Sequence, residues 1–263
     1  METQVTRHER TRGDVRLVCS EFGGTGDPVL LLHGLAGYAG EWSETAACLR
    51  HEHRVLAPDQ RGHGDSERNP DDVSRDSYVL DAAMWIEELV GGRANVIGQS
   101  LGGHTAFLLA ARRPDLVASL VVAEASPESD PEAASKVSSW LSKWKIPFPS
   151  EIAAIEFFGG STSARTWARG LDRRGGGLWP RFDPAVMLAS LRESHSSHWA
   201  EWSRIQCPVL LVRGEHSMSA GRIADMMVAL PHSRVDVIAN AGHDVHLEQP
   251  VAWCNAIRGF LAR

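Results

Sequence analysis

An α/β fold built on a mostly parallel sheet is what this 263-residue chain predicts, and three observations carry the prediction. Short apolar runs alternate with helix-period segments at both ends of the chain, as β-α units do. One run, residues 29–32 (Val-Leu-Leu-Leu), is apolar throughout, which suits a strand buried on both faces. Another, residues 94–97, leads straight into Gly98-Gln99-Ser100-Leu101-Gly102-Gly103 and then into a helical stretch, residues 104–113, stopped by Pro114.

Composition narrows the class. With 43% hydrophobic and 23% charged residues the chain reads as an ordinary globular protein, and its length suits one large domain. The net charge is -6, and no Lys/Arg block suggests nucleic acid or an anionic membrane as partner. Residues 1–14 are polar and no run approaches a membrane span, so a cytoplasmic protein is expected. No dinucleotide fingerprint or metal-ligand spacing occurs, so no cofactor and no metal is expected. Cys19, Cys48, Cys207 and Cys254 stand singly and are expected to be buried free thiols.

In chain order, residues 15–22 read as a leading antiparallel strand and 29–32 as a central one. A helix over 42–50, a strand over 53–57 and a helix over 77–89 follow. Beyond the serine turn, a strand over 117–123 ends at Glu124. Alternation then lapses over residues 127–203, which hold six of the nine Trp and read as short helices broken by Pro and Gly. It resumes with a strand over 208–212, a helix over 220–230, a strand over 234–238, a loop over 240–244 and a closing helix over 250–261. The expected organisation is a core of residues 1–126 and 204–263, with 127–203 inserted as a helical cap at the carboxyl edge of the sheet. Its aromatic residues, Trp140, Trp144 and Trp179 among them, are expected to line an apolar pocket for a hydrophobic or aromatic small molecule.

Ser100 draws attention on chemical grounds. A serine at the tip of a strand-turn-helix connection needs small neighbours, and Gly98 and Gly102 supply them two residues away on each side. The following helix offers free N–H groups to developing negative charge.

Four ordered stretches resemble the α/β-hydrolase superfamily over nearly the whole chain. They are His33-Gly34-Leu35-Ala36-Gly37 with Trp42, then Asp59-Gln60-Arg61-Gly62-His63-Gly64-Asp65-Ser66, then Gly98 to Gly103, and Gly242-His243 with Glu248 and Pro250. The resemblance implies an eight-stranded, mostly parallel sheet flanked by helices. It further implies Ser100 as nucleophile, His243 as its base, and the amides of Leu35 and Leu101 as an oxyanion hole. His246 is the nearest rival to His243, while His33 and His63 read as structural members of the glycine turns.

The acid departs from the usual pattern. Where most relatives carry Asp in a Gly-x-x-Asp arrangement, this chain has Gly214-Glu215-His216-Ser217. Some members, a zearalenone-opening lactonase included, take a Glu from the strand end after the nucleophile helix, the place of Glu124. Glu124 is therefore preferred and Glu215 stays open as the alternative. The implied chemistry is hydrolysis of a carboxylic ester or lactone through an acyl-enzyme. A carbon-carbon bond hydrolase of a vinylogous diketone, or a slow or non-catalytic receptor on the same fold, is the alternative.

Overall fold

The apolar runs form a sheet whose two faces carry different cores. The computed structural model describes residues 5–128, 132–193 and 196–262. Its first strands are β1 (Thr6–Arg12), β2 (Val15–Gly23), β3 (Asp27–Leu32), β4 (His53–Asp59), β5 (Ala94–Gln99) and β6 (Val117–Ala123). A two-stranded hairpin follows, β7 (Asp172–Arg174) with β8 (Gly177–Trp179), and the last strands are β9 (Val209–Gly214) and β10 (Ser233–Ile238). Eight of them join in the order β1-β2-β4-β3-β5-β6-β9-β10. The β1/β2 and β2/β4 pairs are antiparallel and the remainder parallel.

Helices cover both faces: α1 (Ser43–Leu49), α2 (Arg75–Leu89) and α3 (Leu101–Arg112) come first. In β3, Leu30 and Leu32 join Val96, Leu120, Trp85 and Phe107 on one side. Val29 and Leu31 join Ile97, Val121, Trp42 and Trp253 on the other. An uninterrupted apolar run is what a strand with two dry faces requires, and each such side chain contributes roughly 1.5–3 kcal/mol by leaving water.

Between β6 and β9 lie α4 (Ala133–Leu141), α5 (Glu151–Phe157), α6 (Thr162–Arg169), the β7/β8 hairpin, α7 (Pro184–Glu193) and α8 (Trp199–Trp202). They build a smaller apolar cluster that includes Trp144, Phe148, Phe182 and Met187, and Ala36 of the core packs into it. Polar contacts tie this segment down. Arg75 Nη2 donates to Ser190 Oγ at 2.6 Å, Tyr38 Oη to the Thr166 carbonyl at 3.2 Å, and Arg68 pairs with Asp172. The chain closes with α9 (Ala220–Ala229), α10 (Val245–Glu248) and α11 (Pro250–Leu261). No helix among the described residues is long and apolar enough to cross a membrane.

Three features differ from the sequence expectation. Strand β1 precedes the strand expected to lead. Its sequence, Thr-Arg-His-Glu-Arg-Thr-Arg, carries no apolar alternation because it is an edge strand whose side chains meet polar partners, Arg12 pairing with Asp81 and His8 hydrogen-bonding with Glu21. The β7/β8 hairpin replaces what read as a helix break; Gly175 and Gly176 both take positive φ, 56° and 78°, as a two-residue hairpin turn demands. The cysteine expectation is corrected as well. Cys19 and Cys207 are buried free thiols, but Cys48 and Cys254 are joined in a disulfide, because α1 and α11 pack side by side with those Cα atoms 6.4 Å apart.

Candidate functional site

The turn between β5 and α3 imposes its geometry on Ser100, which sits at φ 51° and ψ -115°. A non-glycine residue rarely adopts such a backbone, and the surroundings hold it there. A methyl group on Gly98 would lie 2.2 Å from the Gly102 carbonyl, and one on Gly102 would lie 2.0 Å from the Leu32 carbonyl. Only glycine fits either place. The Ser100 amide donates to the Ala123 carbonyl at 2.8 Å, which continues the β5/β6 ladder by one step.

Glu124 is the next residue of the neighbouring strand. It also takes a positive φ, 54°, and its amide donates to the Val212 carbonyl at 3.1 Å. Its side chain is 2% exposed, and two donors hold Oε1: the Gly214 amide at 2.6 Å and Ser217 Oγ at 2.5 Å. The other oxygen, Oε2, stands 3.7 Å from His243 Nδ1. Ser217, at the place of the usual Asp, thus contacts the carboxylate that approaches the histidine. Glu215 turns elsewhere: its Oε2 accepts the Asn240 amide at 3.0 Å.

The sequence profile of the alpha/beta hydrolase family matches residues 29–257. The chain belongs to the alpha/beta hydrolase family. Among its relatives is 2-(acetamidomethylene)succinate hydrolase of Mesorhizobium japonicum, 29% identical, with 90% of this chain and 89% of that protein aligned. An esterase of Mycobacterium tuberculosis is 30% identical over 91% of this chain and 84% of its own. The crystal structure of E-2-(acetamidomethylene)succinate hydrolase superposes with a TM-score of 0.92, at 28% identity and 99% and 100% coverage. The fold also matches that of an enol-lactonase from Burkholderia xenovorans, with a TM-score of 0.80 at 20% identity over 97% and 100% of the two chains. The chain is an α/β-hydrolase enzyme.

In this alpha/beta hydrolase the histidine loop is clamped from two sides. Glu248 accepts the amides of Gly242 at 2.7 Å and Asp244 at 3.0 Å, and Gln99 Nε2 donates to the His243 carbonyl at 2.9 Å. Gln99 escaped the sequence reading because it fills a variable position of the serine motif. The His243 side chain is 57% exposed. Loss of hydration pulls its proton affinity down, but Glu124 and the charges of Asp244 and Glu248 outweigh that and raise its pKa above the ordinary 6.5. The Ser100 hydroxyl is not hydrogen-bonded to any described residue, His243 included. Such contacts in unliganded enzymes commonly tighten only with substrate bound.

His33 and His63 sit in the glycine turns, fully buried. His33 Nε2 accepts the Gln60 amide at 3.0 Å, so Nδ1 carries the proton and donates to the Gly34 carbonyl at 2.8 Å. That bond and the Gly37 amide, 3.1 Å from the same oxygen, fix the loop that presents Leu35. The amides of Leu35 and Leu101 make no hydrogen bond with a described residue. His246 is buried against Trp42, with ring centroids 4.4 Å apart, and faces Glu41.

Next to these loops lies a small, partly open pocket, lined by Ala36, Tyr38, Glu41 and Leu247 of the core and by Trp144, Trp167, Arg181 and Phe182 of the inserted segment. Trp167 Nε1 donates to Asp244 Oδ2 at 3.1 Å, which ties the pocket wall to the histidine loop. Of the three tryptophans expected at substrate, Trp144 lines the pocket. Trp140 stands behind it, packed on Trp144 and Trp167. Trp179 is engaged within its hairpin, donating to the Arg174 carbonyl at 3.1 Å with the Arg174 guanidinium over its ring.

Proposed function

We propose that this hydrolase cleaves a carboxylic ester or lactone of a hydrophobic small molecule through an acyl-enzyme on Ser100. Ser100 Oγ attacks the carbonyl carbon while His243 takes its proton, and the oxyanion is received by the Leu35 and Leu101 amides. The imidazolium then protonates the leaving alkoxide. Water, deprotonated by His243, cleaves the acyl-enzyme to the acid and restores Ser100. Glu124 holds the imidazole in the tautomer with Nε2 free and stabilises the imidazolium.

The observation that carries this reading is the placement of Glu124: a buried carboxylate, fixed by two donors on one oxygen, directs the other at His243 Nδ1. The segment over residues 127–203 acts as the cap, and its Trp144, Trp167 and Phe182 wall the pocket next to the histidine loop. A nitrogen-linked acyl group is a second reading within the same chemistry. It is favoured by the likeness, at a TM-score of 0.92, to an enzyme whose name specifies an acetamido-bearing substrate.

A panel of aryl esters, lactones and N-acyl enamides tests the proposal. Turnover by the parent that collapses in Ser100→Ala, with burst release of the alcohol in single-turnover experiments, is the expected result. Equal turnover by Ser100→Ala, or none by the parent on any member, overturns it.

A further inference from the structure

The pocket beside the catalytic loops combines aromatic walls with an under-satisfied carboxylate, and that combination selects a charge. Trp144 and Trp167 stand nearly perpendicular, with an interplanar angle of 81°, and Phe182 meets Trp144 at 71°. Glu41 enters this box from the core side. Its side chain is only 6% exposed. Oε2 accepts the Tyr38 amide at a long 3.4 Å, and Oε1 has His246 Nε2 at 3.4 Å, outside hydrogen-bond geometry. No Lys or Arg among the described residues forms an ion pair with Glu41.

Two arginines bear on the pocket, and one of them is paired with carboxylates. Arg181 lines the pocket with its guanidinium 5.4 Å from the centroid of the Tyr38 ring, and it is held by Asp65 at 3.0 Å, Asp172 at 3.3 Å and the Gly170 carbonyl at 3.0 Å. Arg169 is exposed and screened by solvent. Among the described residues the one cationic neighbour of this buried carboxylate is His246, 3.4 Å away, so a further positive charge would stabilise it, and aromatic rings attract cations over their faces; both features of the box favour the same guest.

We propose that this pocket binds an ammonium group, a quaternary ammonium in particular, and that Glu41 is the residue that sets this specificity. The inference deepens the reading of Ser100 as an ester-cleaving nucleophile and rests on it for the statement that the ammonium belongs to a substrate. The pocket wall includes Ala36, which follows Leu35, and Leu247, four residues past His243, so an ammonium bound there sits beside the loops that carry the oxyanion amide and the histidine.

Binding and turnover test the two parts separately. In the Ser100→Ala protein, choline and its uncharged isostere 3,3-dimethyl-1-butanol are titrated by calorimetry. We expect choline to bind at least tenfold more tightly, the preference to fall to within twofold in Ser100→Ala/Glu41→Gln, and the affinity for the neutral isostere to stay unchanged. Equal binding of the two compounds overturns the proposal without recourse to any Glu41 variant, so a misfolded Glu41→Gln protein leaves it testable. In the Ser100-intact protein, kcat/KM for butyrylcholine should exceed that for 3,3-dimethylbutyl butyrate at least tenfold. A choline preference in binding with no turnover of either ester upholds the ammonium pocket and overturns the esterase reading. Equal turnover with equal binding does the reverse.

Discussion

Replacing Glu124 by Gln is the most informative single change, because the surroundings dictate how the amide must sit. Both groups that hold Oε1 are donors, the Gly214 N–H at 2.6 Å and the Ser217 O–H at 2.5 Å. The glutamine carbonyl oxygen therefore takes that place and the NH2 takes the place of Oε2, 3.7 Å from His243 Nδ1. A donor there makes Nδ1 an acceptor and drives the ring proton to Nε2, the atom that should accept the proton of Ser100. The tautomer is wrong for catalysis while the packing is unchanged. The same amide-for-carboxylate exchange in serine proteases lowers kcat by about 10⁴, which corresponds to about 5 kcal/mol of transition-state stabilisation. Steady-state kinetics on the best ester of the panel would measure it. The pH profile adds a second readout. The base must be unprotonated, so the acidic limb of kcat/KM rises through the His243 pKa, which Glu124 helps hold above 6.5; with Gln the limb should move to lower pH. A variant that retains kcat within about tenfold, with an unmoved limb, would refute the role assigned to Glu124.

Four further outcomes are expected. Glu124→Ala/Ser217→Asp should recover about 10- to 100-fold of the activity lost in Glu124→Ala, measured as kcat, since Ser217 Oγ lies 2.5 Å from the carboxylate it would replace. Glu215→Gln should keep kcat within about twofold, because that side chain serves the Asn240 amide. Ser100→Gly should abolish turnover yet raise Tm by about 2 °C, through relief of roughly 1 kcal/mol of backbone strain at φ 51°; a lowered Tm in calorimetry would contradict this. Gly102→Ala should cost about 3 kcal/mol or more in chemical denaturation, given a methyl group 2.0 Å from the Leu32 carbonyl.

What the sequence disclosed follows from where the information resides. Strand β3 is buried on both faces over residues 29–32 and is written there in consecutive apolar residues; β1 is a polar edge strand, laddered to β2 and carrying arginines that pair with residues far along the chain, Asp65, Asp81 and Glu88. Ser100 is a candidate from sequence because its turn tolerates so few neighbours, and Glu124 because the loop after β9 carries Ser217 where the resembled pattern has Asp. The contacts that complete the site were not legible. Gln99 meets the His243 carbonyl across 144 residues of sequence, Trp167 meets Asp244 across 77, and Cys48 meets Cys254 across 206. The aromatic content of the inserted segment suggested a pocket, but which tryptophan faces it depends on helix packing: Trp144 does and Trp179 does not.

The register of the sheet has a consequence for how this enzyme can change over time. Ser100 and Glu124 each follow directly on one of the paired residues Gln99 and Ala123 of adjacent parallel strands, so a backbone ladder with a spacing of about 4.8 Å acts as the ruler between them. No loop length enters that distance. His243, by contrast, rides on a surface loop secured by side-chain clamps from Glu248 and Gln99. Insertions or deletions after β9 can thus be absorbed without altering the spacing of Ser100 and Glu124, provided Ser217 and the Gly214 amide keep their grip. Drift in this lineage should accumulate in the stretch between Glu215 and Ser219 and spare the strand ends.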